Sequence, residues 1–397
     1  MSRMVGTVSR GVRAPIIRPG DDLAQIVTDC VLEAAADGGF AIRDRDIVAI
    51  TESIVARVQG NFVTVDDIAA DVRAKFGGET VGIVFPILSR NRFSICLRGI
   101  AKGCKKVVIQ LSYPGDEVGN CLFDPDLLEE QDVDPYKDVL GLEEYRKHFG
   151  YAKHPFTGMD YVAYYEELVR GCGAEVEFVF ANDPRAILKY TKNVMPCDIH
   201  TRFRTKRLLK AAGAEKVYGM DEIMSAPING SGYNERYGLL GSNKSTEDKI
   251  KLFPRDCQDL VEEIQRRLLA KTGKHVEVMV YGDGAFKDPV GKIWELADPV
   301  VSPAYTAGLE GTPNELKLKY LADDKYADLS GEALKDAIKK DIVAKDNDLF
   351  GKMASEGTTP RRLTDLIGSL CDLTSGSGDK GTPFVYIQGY FDNFTTE

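Results

Sequence analysis

Short apolar segments alternate with helical periodicities along this chain, and that alternation limits the folds open to it. The middle of the chain shows the pattern best, with strands predicted over 105–111, 174–180 and 216–218 and helices over 160–170 and 201–212. Strand–helix–strand–helix–strand order is typical of a sheet covered by helices. The sequence therefore predicts a small α/β layer in the middle of the chain.

Comparable elements lie on both sides of this layer. Asp21 or Asp22 can cap a helix over 21–35, and a strand over 46–51 precedes a helix over 65–75. Residues 116–158 are rich in proline and acidic side chains, and this composition predicts a long loop. Further helices are predicted over 255–271, 330–345 and 359–374, and strands over 275–281 and 383–388. The fold class expected from these elements is mixed α/β (α+β).

Composition excludes several classes of protein. The chain has 397 residues, enough for two or three domains, and a net charge of −10, which disfavours binding to a nucleic-acid backbone. No apolar run reaches the roughly 18–20 residues that span a bilayer, so no membrane partner is expected. Residues 1–20 lack the apolar region of a secretory signal and predict a frayed end or an edge strand.

The eight cysteines indicate the cellular compartment of the protein and do not indicate a metal-binding or redox-active site. No two of them stand in a C-x-x-C spacing, so neither a zinc ribbon nor a thioredoxin-like motif is supported. Scattered cysteines in a long chain are typical of reduced, buried thiols. We therefore expect a cytoplasmic protein.

The first candidate for chemistry is the Gly-Asp-Gly loop at Gly282, Asp283 and Gly284. It follows the predicted strand over 275–281, and a carboxylate between glycines at such a strand end can hold Mg²⁺ or Mn²⁺ against phosphate oxygens. Lys287 can offset phosphate charge, and Asp288 can supply a second carboxylate. A plain Gly-Asp-Gly turn between elements explains the same residues equally well.

Two other segments rich in glycine and polar residues are candidates for binding a phosphate group. Gly376 and Gly378 lie in a loop of small residues whose backbone N–H groups can form an anion-binding concavity, although the order of a Walker A motif is absent. Ser242 and Asn243 can hydrogen-bond a phosphate or a ribose. Solvated connecting loops are the alternative in both places.

Four segments, taken in order, resemble the F-420-zero:γ-glutamyl ligase family. Residues 15–23 are similar to its P-L-(I)-x-x-G-D-D-L run, and residues 51–60 to its S-x-x-S-K-A-E-G segment. Residues 272–284 resemble its T-G-K-R-V strand that ends in T-D-T. Residues 376–389 resemble its final Gly-rich loop and strand. The likeness covers roughly residues 14–100 and 238–395.

This resemblance implies a function as well as a fold. The family uses GTP, Mg²⁺ or Mn²⁺ and sometimes K⁺ to join glutamate to a carboxylate through an acyl phosphate, on an unusual mixed fold that is usually a dimer. It implies that Asp283 binds metal and that Asp283, Arg57 and Lys287 are catalytic, with Arg57 in the place of a family lysine. The candidates for a second metal-binding carboxylate are Asp288, which we expect first, Glu235 and Asp379. Ser242, Asn243, Gly282, Gly284, Gly376 and Gly378 would bind the nucleotide, which is GTP or ATP.

The chain also departs from the family pattern. Leu240 stands where the family has a metal-binding aspartate, and no counterpart is evident between about 100 and 237. We therefore expect a divergent homodimeric ligase in which 1–100 and 238–397 form the ligase-like domain and 101–237 is an inserted α/β region. Two alternatives stay open, a nucleotide- or metabolite-binding relative without ligase activity and a kinase-like enzyme that stops at the phosphorylated acceptor.

Overall fold

The chain folds into three sheets with helices packed around them, so the expected mixed α/β class is confirmed. A computed structural model describes residues 4–154, 157–285, 297–349, 351–355, 361–375 and 378–396. The strands are β1 Val8–Val12, β2 Ile47–Thr51, β3 Phe62–Thr64, β4 Thr80–Val84, β5 Lys106–Leu111, β6 Leu140–Gly141, β7 Glu175–Phe180, β8 Asn193–Pro196, β9 Lys216–Val217, β10 Asn243–Lys244, β11 Lys249–Lys251, β12 Glu277–Tyr281, β13 Ala304–Tyr305 and β14 Phe384–Gln388. The helices are α1 Leu23–Asp37, α2 Glu52–Val58, α3 Val65–Phe76, α4 Phe93–Lys102, α5 Leu127–Glu130, α6 Leu142–Phe149, α7 Tyr161–Gly171, α8 Arg202–Ala211, α9 Cys257–Thr272, α10 Leu318–Tyr320, α11 Gly331–Ala344 and α12 Leu363–Thr374.

A five-stranded mixed sheet joins the two ends of the chain. Its strand order is β1-β14-β2-β12-β13, and β2 and β12 are parallel while β14 runs antiparallel to β2. Both faces are buried: α1 and α9 cover one and α12 covers the other. Burial on both faces explains why β2 and β12 are almost wholly apolar. Their carboxyl ends lie at the same edge of the sheet, where Glu52 and Gly282 follow them.

A second, six-stranded sheet has the order β6-β7-β5-β4-β8-β9, and all its pairs except β6 with β7 are parallel. Counted from β4, the parallel strands β4, β5, β7, β8 and β9 have the spatial order 3-2-1-4-5 of a doubly wound fold. Helices α4 and α7 cover one face, and α8 covers the other. The order of winding reverses between β4 and β8. A small sheet of β10, β11 and β3 makes up the third.

Most predicted elements are present within a few residues of their expected limits, including the helix that Asp22 caps. The edge-strand alternative for the N-terminus is confirmed by β1. The missed elements include the strands β4, whose Gly82 packs against Ile187, and β8, several strands of two or three residues, and the helices α2 and α4. The predicted loop over 116–158 was partly wrong, because α6 begins at Leu142 with Tyr145 buried on its inner face.

The division at residue 101 stays a prediction. The six-stranded sheet itself draws on residues from Thr80 to Val217, so it includes a strand that lies before that position.

Candidate functional site

The central feature is an arginine held between two carboxylates at the carboxyl edge of the five-stranded sheet. Asp283 follows β12, and its Oδ2 accepts a hydrogen bond of 2.6 Å from Arg92 Nη2. Arg92 Nη1 donates to Asp298 Oδ1 at 2.7 Å. Each amino group of the guanidinium thus serves a different carboxylate, so the positive charge is fixed between them.

Asp298 is the better anchored of the two acids. Its side chain is only 1% exposed, whereas that of Asp283 is 26% exposed. Its second oxygen, Oδ2, accepts a hydrogen bond of 2.8 Å from the backbone N–H of Asp283. The same oxygen is so close to Gly282 that a Cβ at that position would clash with it. The lack of a side chain at Gly282 therefore lets the Gly-Asp-Gly loop lie directly against Asp298.

Helix α12 holds the other side of the loop. Asp372 Oδ2 accepts the N–H of Gly284 at 2.9 Å, and Ser369 Oγ accepts the N–H of Ala285 at 3.0 Å. With Asp298, these contacts engage three successive backbone N–H groups of the loop. The side chain of Asp283 is consequently presented from a well-supported backbone.

A buried ion pair lies behind this centre. Lys251 Nζ donates to both oxygens of Glu52, at 2.9 and 3.1 Å, and both residues are buried. Glu52 begins helix α2 directly after β2, so it lies at the carboxyl end of the strand adjacent to β12. The charges of Asp298 and Arg92 act on Glu52, with opposite effects on its pKa. The pair is thus electrostatically part of the same centre.

Burial raises the pKa of Asp283 to about 7, and the charge of Asp298 adds to the rise while Arg92 opposes it. Burial also raises the pKa of Asp372. The pKa of Arg92 lies above its ordinary value because Asp298 and Asp283 outweigh the opposing effect of burial. A carboxyl group that titrates near neutral pH, next to a permanent cation, is typical of a site for proton transfer.

Ser242 and Leu240 line a narrow cavity of about 20 Å³ beside Arg92. This space is sufficient for about one water molecule. Ser242 Oγ lies 3.4 Å from Cys96 Sγ, and Leu240 is 2% exposed among other apolar side chains. The predicted nucleotide contact at Ser242 is therefore close to Arg92 but buried.

The other predicted site residues have different positions. Arg57 Nε donates to the carbonyl of Ile17 at 2.7 Å, and no described hydrogen bond or ion pair joins Arg57 to Asp283. Asn243 is in β10, paired with Lys251. Gly378 lies in an open bend before β14. Gly376, Lys287 and Asp288 are outside the described residues.

The implied divalent metal does not fit the described residues as they are arranged. Both oxygens of Asp298 and one of Asp283 accept hydrogen bonds from protein donors. Within the described ranges, no three His, Cys, Asp or Glu side chains cluster as a metal site would require. Arg92 supplies the cation that these two carboxylates contact.

Sequence reasoning found Asp283 but missed its partners Arg92, Asp298 and Asp372. Arg92 and Asp298 are separated by 206 positions, and no local spacing links them. Asp298 stands in an ordinary Ala-Asp-Pro turn sequence. The position of Glu52 directly after an apolar strand, in the segment 51–60, was a signal in the sequence. Glutamate is seldom buried, and Glu52 is buried here.

Fold and centre together define a mixed α/β protein with a charged site at the carboxyl edge of its five-stranded sheet. The model of the F420-0:Gamma-glutamyl ligase family matches residues 11–389. The chain therefore belongs to this family of ligases. No curated protein matches the chain. Among the described residues, no helix is long and apolar enough to cross a membrane.

Proposed function

We propose that this protein is an NTP-dependent amide ligase that joins an amino acid, with glutamate as the first candidate, to a small-molecule carboxylate acceptor. The observation that carries the proposal is the guanidinium of Arg92 between Asp283 and Asp298, in a chain of the γ-glutamyl ligase family. GTP is the expected nucleotide and ATP the alternative. Mg²⁺ or Mn²⁺ would enter bound to the nucleotide's phosphates, with K⁺ as a further ion, and the active form is proposed to be a homodimer.

The reaction has two steps in this proposal. An oxygen of the acceptor carboxylate attacks the γ-phosphorus of the nucleotide, the bond to the bridging oxygen breaks, and NDP leaves. The amine then attacks the acyl carbon, and inorganic phosphate leaves as the amide forms. Negative charge accumulates on the transferring phosphoryl group, and a fixed cation beside it lowers the barrier. Arg92 is the residue we assign to that task.

Asp283 is assigned to proton transfer. An amino acid enters as an ammonium ion and must lose a proton before its nitrogen can attack. A carboxylate whose pKa is about 7 can accept this proton near neutral pH, and a carboxylate of ordinary pKa is a much weaker base. The Gly-Asp-Gly loop keeps its backbone fixed while the 26% exposed side chain faces solvent.

The first test is a thermal-shift titration with GTP, ATP and GDP, each with Mg²⁺, Mn²⁺ or EDTA. Saturation to about 100 times Kd adds about 2.7 kcal/mol to stability, which raises the Tm of a chain this long by about two degrees or more. A shift with one nucleotide selects the donor for acceptor screening. The absence of a shift with any of them would contradict the proposal and favour a metabolite-binding relative.

Product analysis separates the ligase from the kinase-like alternative. With the selected nucleotide, a panel of carboxylate acceptors and glutamate, a ligase releases NDP only when the amine is present or more rapidly in its presence, and it yields an amide. NDP release that is independent of the amine, together with a phosphorylated acceptor, would instead identify a kinase-like enzyme.

A further inference from the structure

A half-open pocket of about 700 Å³ lies at the edge of the five-stranded sheet that β1 forms. Asp283 follows β12, which is near the other edge. The pocket is formed by the edge strand β1, the second half of α1 and the loop before β14, and its charged lining residues are Arg10, Arg13, Glu33, Asp37 and Lys380. Its volume is within the range of small-molecule sites. Three strand spacings, about 14 Å, separate β1 from β12. The pocket is therefore distinct from the centre that Arg92, Asp283 and Asp298 form.

Arg10 is the feature that points to a ligand. Its Nη1 is buried and has no hydrogen-bond partner among the described residues, and its guanidinium carbon lies 4.3 Å from the centre of the Phe40 ring. The ring covers one face of the guanidinium, so hydrogen bonds can form only in its plane. A buried donor of a charged group without an acceptor is rare in native proteins, because its loss of hydration is uncompensated.

The position of Arg10 explains why it is held there. Arg10 lies two residues before Val12 on β1, so both side chains are on the same face of the sheet, the one that α1 covers. Phe40 itself packs against Tyr386, with 5.0 Å between ring centres. The arginine is thus placed by an apolar stack of strand and loop residues.

The charges of the pocket define the ligand class. Arg10, Arg13 and Lys380 provide three positive charges, and Glu33 and Asp37 provide two negative charges, so the lining favours an anion. Arg10 Nη1 requires an oxygen acceptor, and guanidinium groups match carboxylate and phosphate oxygens best. Glu33 and Asp37, on α1, can form ion pairs with an amino group on the same ligand.

We propose that this pocket binds a small metabolite through its carboxylate or phosphate group, with Arg10 as the principal contact. This inference goes beyond the ligase function and does not depend on it. Arg13 and Lys380 are exposed and add electrostatic attraction, whereas Arg10 provides the directed hydrogen bond.

The test is isothermal titration calorimetry of the full chain at low ionic strength, with inorganic phosphate and L-glutamate as separate probes. We expect saturable binding of at least one of them, which identifies the phosphate or the carboxylate as the group recognised. Arg10→Gln should weaken that binding at least tenfold. The matched control is Arg45→Gln, since Arg45 also stacks on a phenylalanine, at 4.0 Å from the centre of the Phe391 ring, but lies outside the pocket.

A second variant keeps the test decisive if Arg10→Gln does not fold. Lys380→Gln changes an exposed side chain and should weaken binding about threefold while the Tm stays unchanged. Asp283→Asn should bind the probe as the wild type does, which separates this pocket from the proposed ligase centre. The inference is overturned if neither probe binds the wild type saturably, or if Arg10→Gln binds as tightly as the wild type.

Discussion

The two large sheets of this protein differ in what lies at their carboxyl edges. The five-stranded sheet has an irregular, mixed strand order, yet Asp283, Arg92 and Asp298 meet at its edge with one side chain partly open to solvent. The parallel sheet has the strand order of many nucleotide-binding folds, and a doubly wound sheet binds its ligands at the point where the winding reverses. Here that point lies between β4 and β8.

At that point a protein carboxylate occupies the backbone donors of the loop after β8. Glu117, from the segment after β5, accepts the backbone N–H groups of Ile199 and His200 and the hydroxyl of Thr201, all in the loop after β8. These are donors that a phosphate would otherwise use. A cavity of about 20 Å³ at this point is lined by Ile87, Ile199 and Arg92. The reversal of winding and the charged centre therefore share Arg92, which lies in the segment between β4 and α4.

The largest effect should come from removal of the central arginine. Arg92→Met leaves the buried carboxylate of Asp298 without its cation, and breaking a buried pair in this way costs about 3–5 kcal/mol. Chemical denaturation measures the change in free energy of unfolding. Arg98→Met, on the helix α4 that begins directly after Arg92, is the control; Arg98 pairs with the exposed Asp248, and its loss should cost less than about 1 kcal/mol. Equal losses in both variants would contradict a buried centre.

The two sheets should also differ in the pH dependence of stability. The pKa of Asp283 is raised to about 7 and burial raises that of Asp116, beside the parallel sheet, to about 6. Each native carboxyl binds a proton more tightly than the unfolded one does. Stability should therefore fall as pH rises from about 4, through about 7 for Asp283 and about 6 for Asp116.

Denaturation at several pH values tests this. Asp283→Asn should remove the part of the slope that extends to pH 7, at most about 1.4 kcal/mol per pH unit. Asp116→Asn should remove only a part that ends near pH 6. A wild-type slope between pH 6 and 7 that persists in Asp283→Asn would show that another group titrates there.

The smallest effect is expected where Glu117 contacts the loop after β8. Glu117→Gln keeps an oxygen acceptor for the loop after β8 but removes the charge, so stability should fall by only about 1 kcal/mol. Catalytic activity should stay within twofold of the wild type. A tenfold loss of activity in a folded variant would mean that this loop takes part in function.

The sequence predicted the long helices and the more strongly apolar strands because their periodicities are local, but it missed β4 and β8 in the parallel sheet. The helix that Asp22 caps and the strand before Gly282 needed only neighbouring residues. The centre itself could be predicted only in part: Asp283 is marked by its flanking glycines, whereas Arg92 and Asp298 are joined to it by contacts between distant parts of the chain. Arg10 carries no local signal either, because its exceptional property is a missing partner.

The central claim is that the Arg92–Asp283–Asp298 centre carries out carboxylate activation, and trapping with hydroxylamine tests it most directly. Hydroxylamine converts an acyl phosphate into a stable hydroxamate, which mass spectrometry detects with the selected nucleotide and a panel of carboxylate acceptors. We predict hydroxamate with the wild type and with Glu117→Gln at similar rates, and a loss of at least a hundredfold with folded Arg92→Met, because Arg92 is the residue assigned to phosphoryl transfer. Hydroxamate formation by folded Arg92→Met at the wild-type rate would contradict the account.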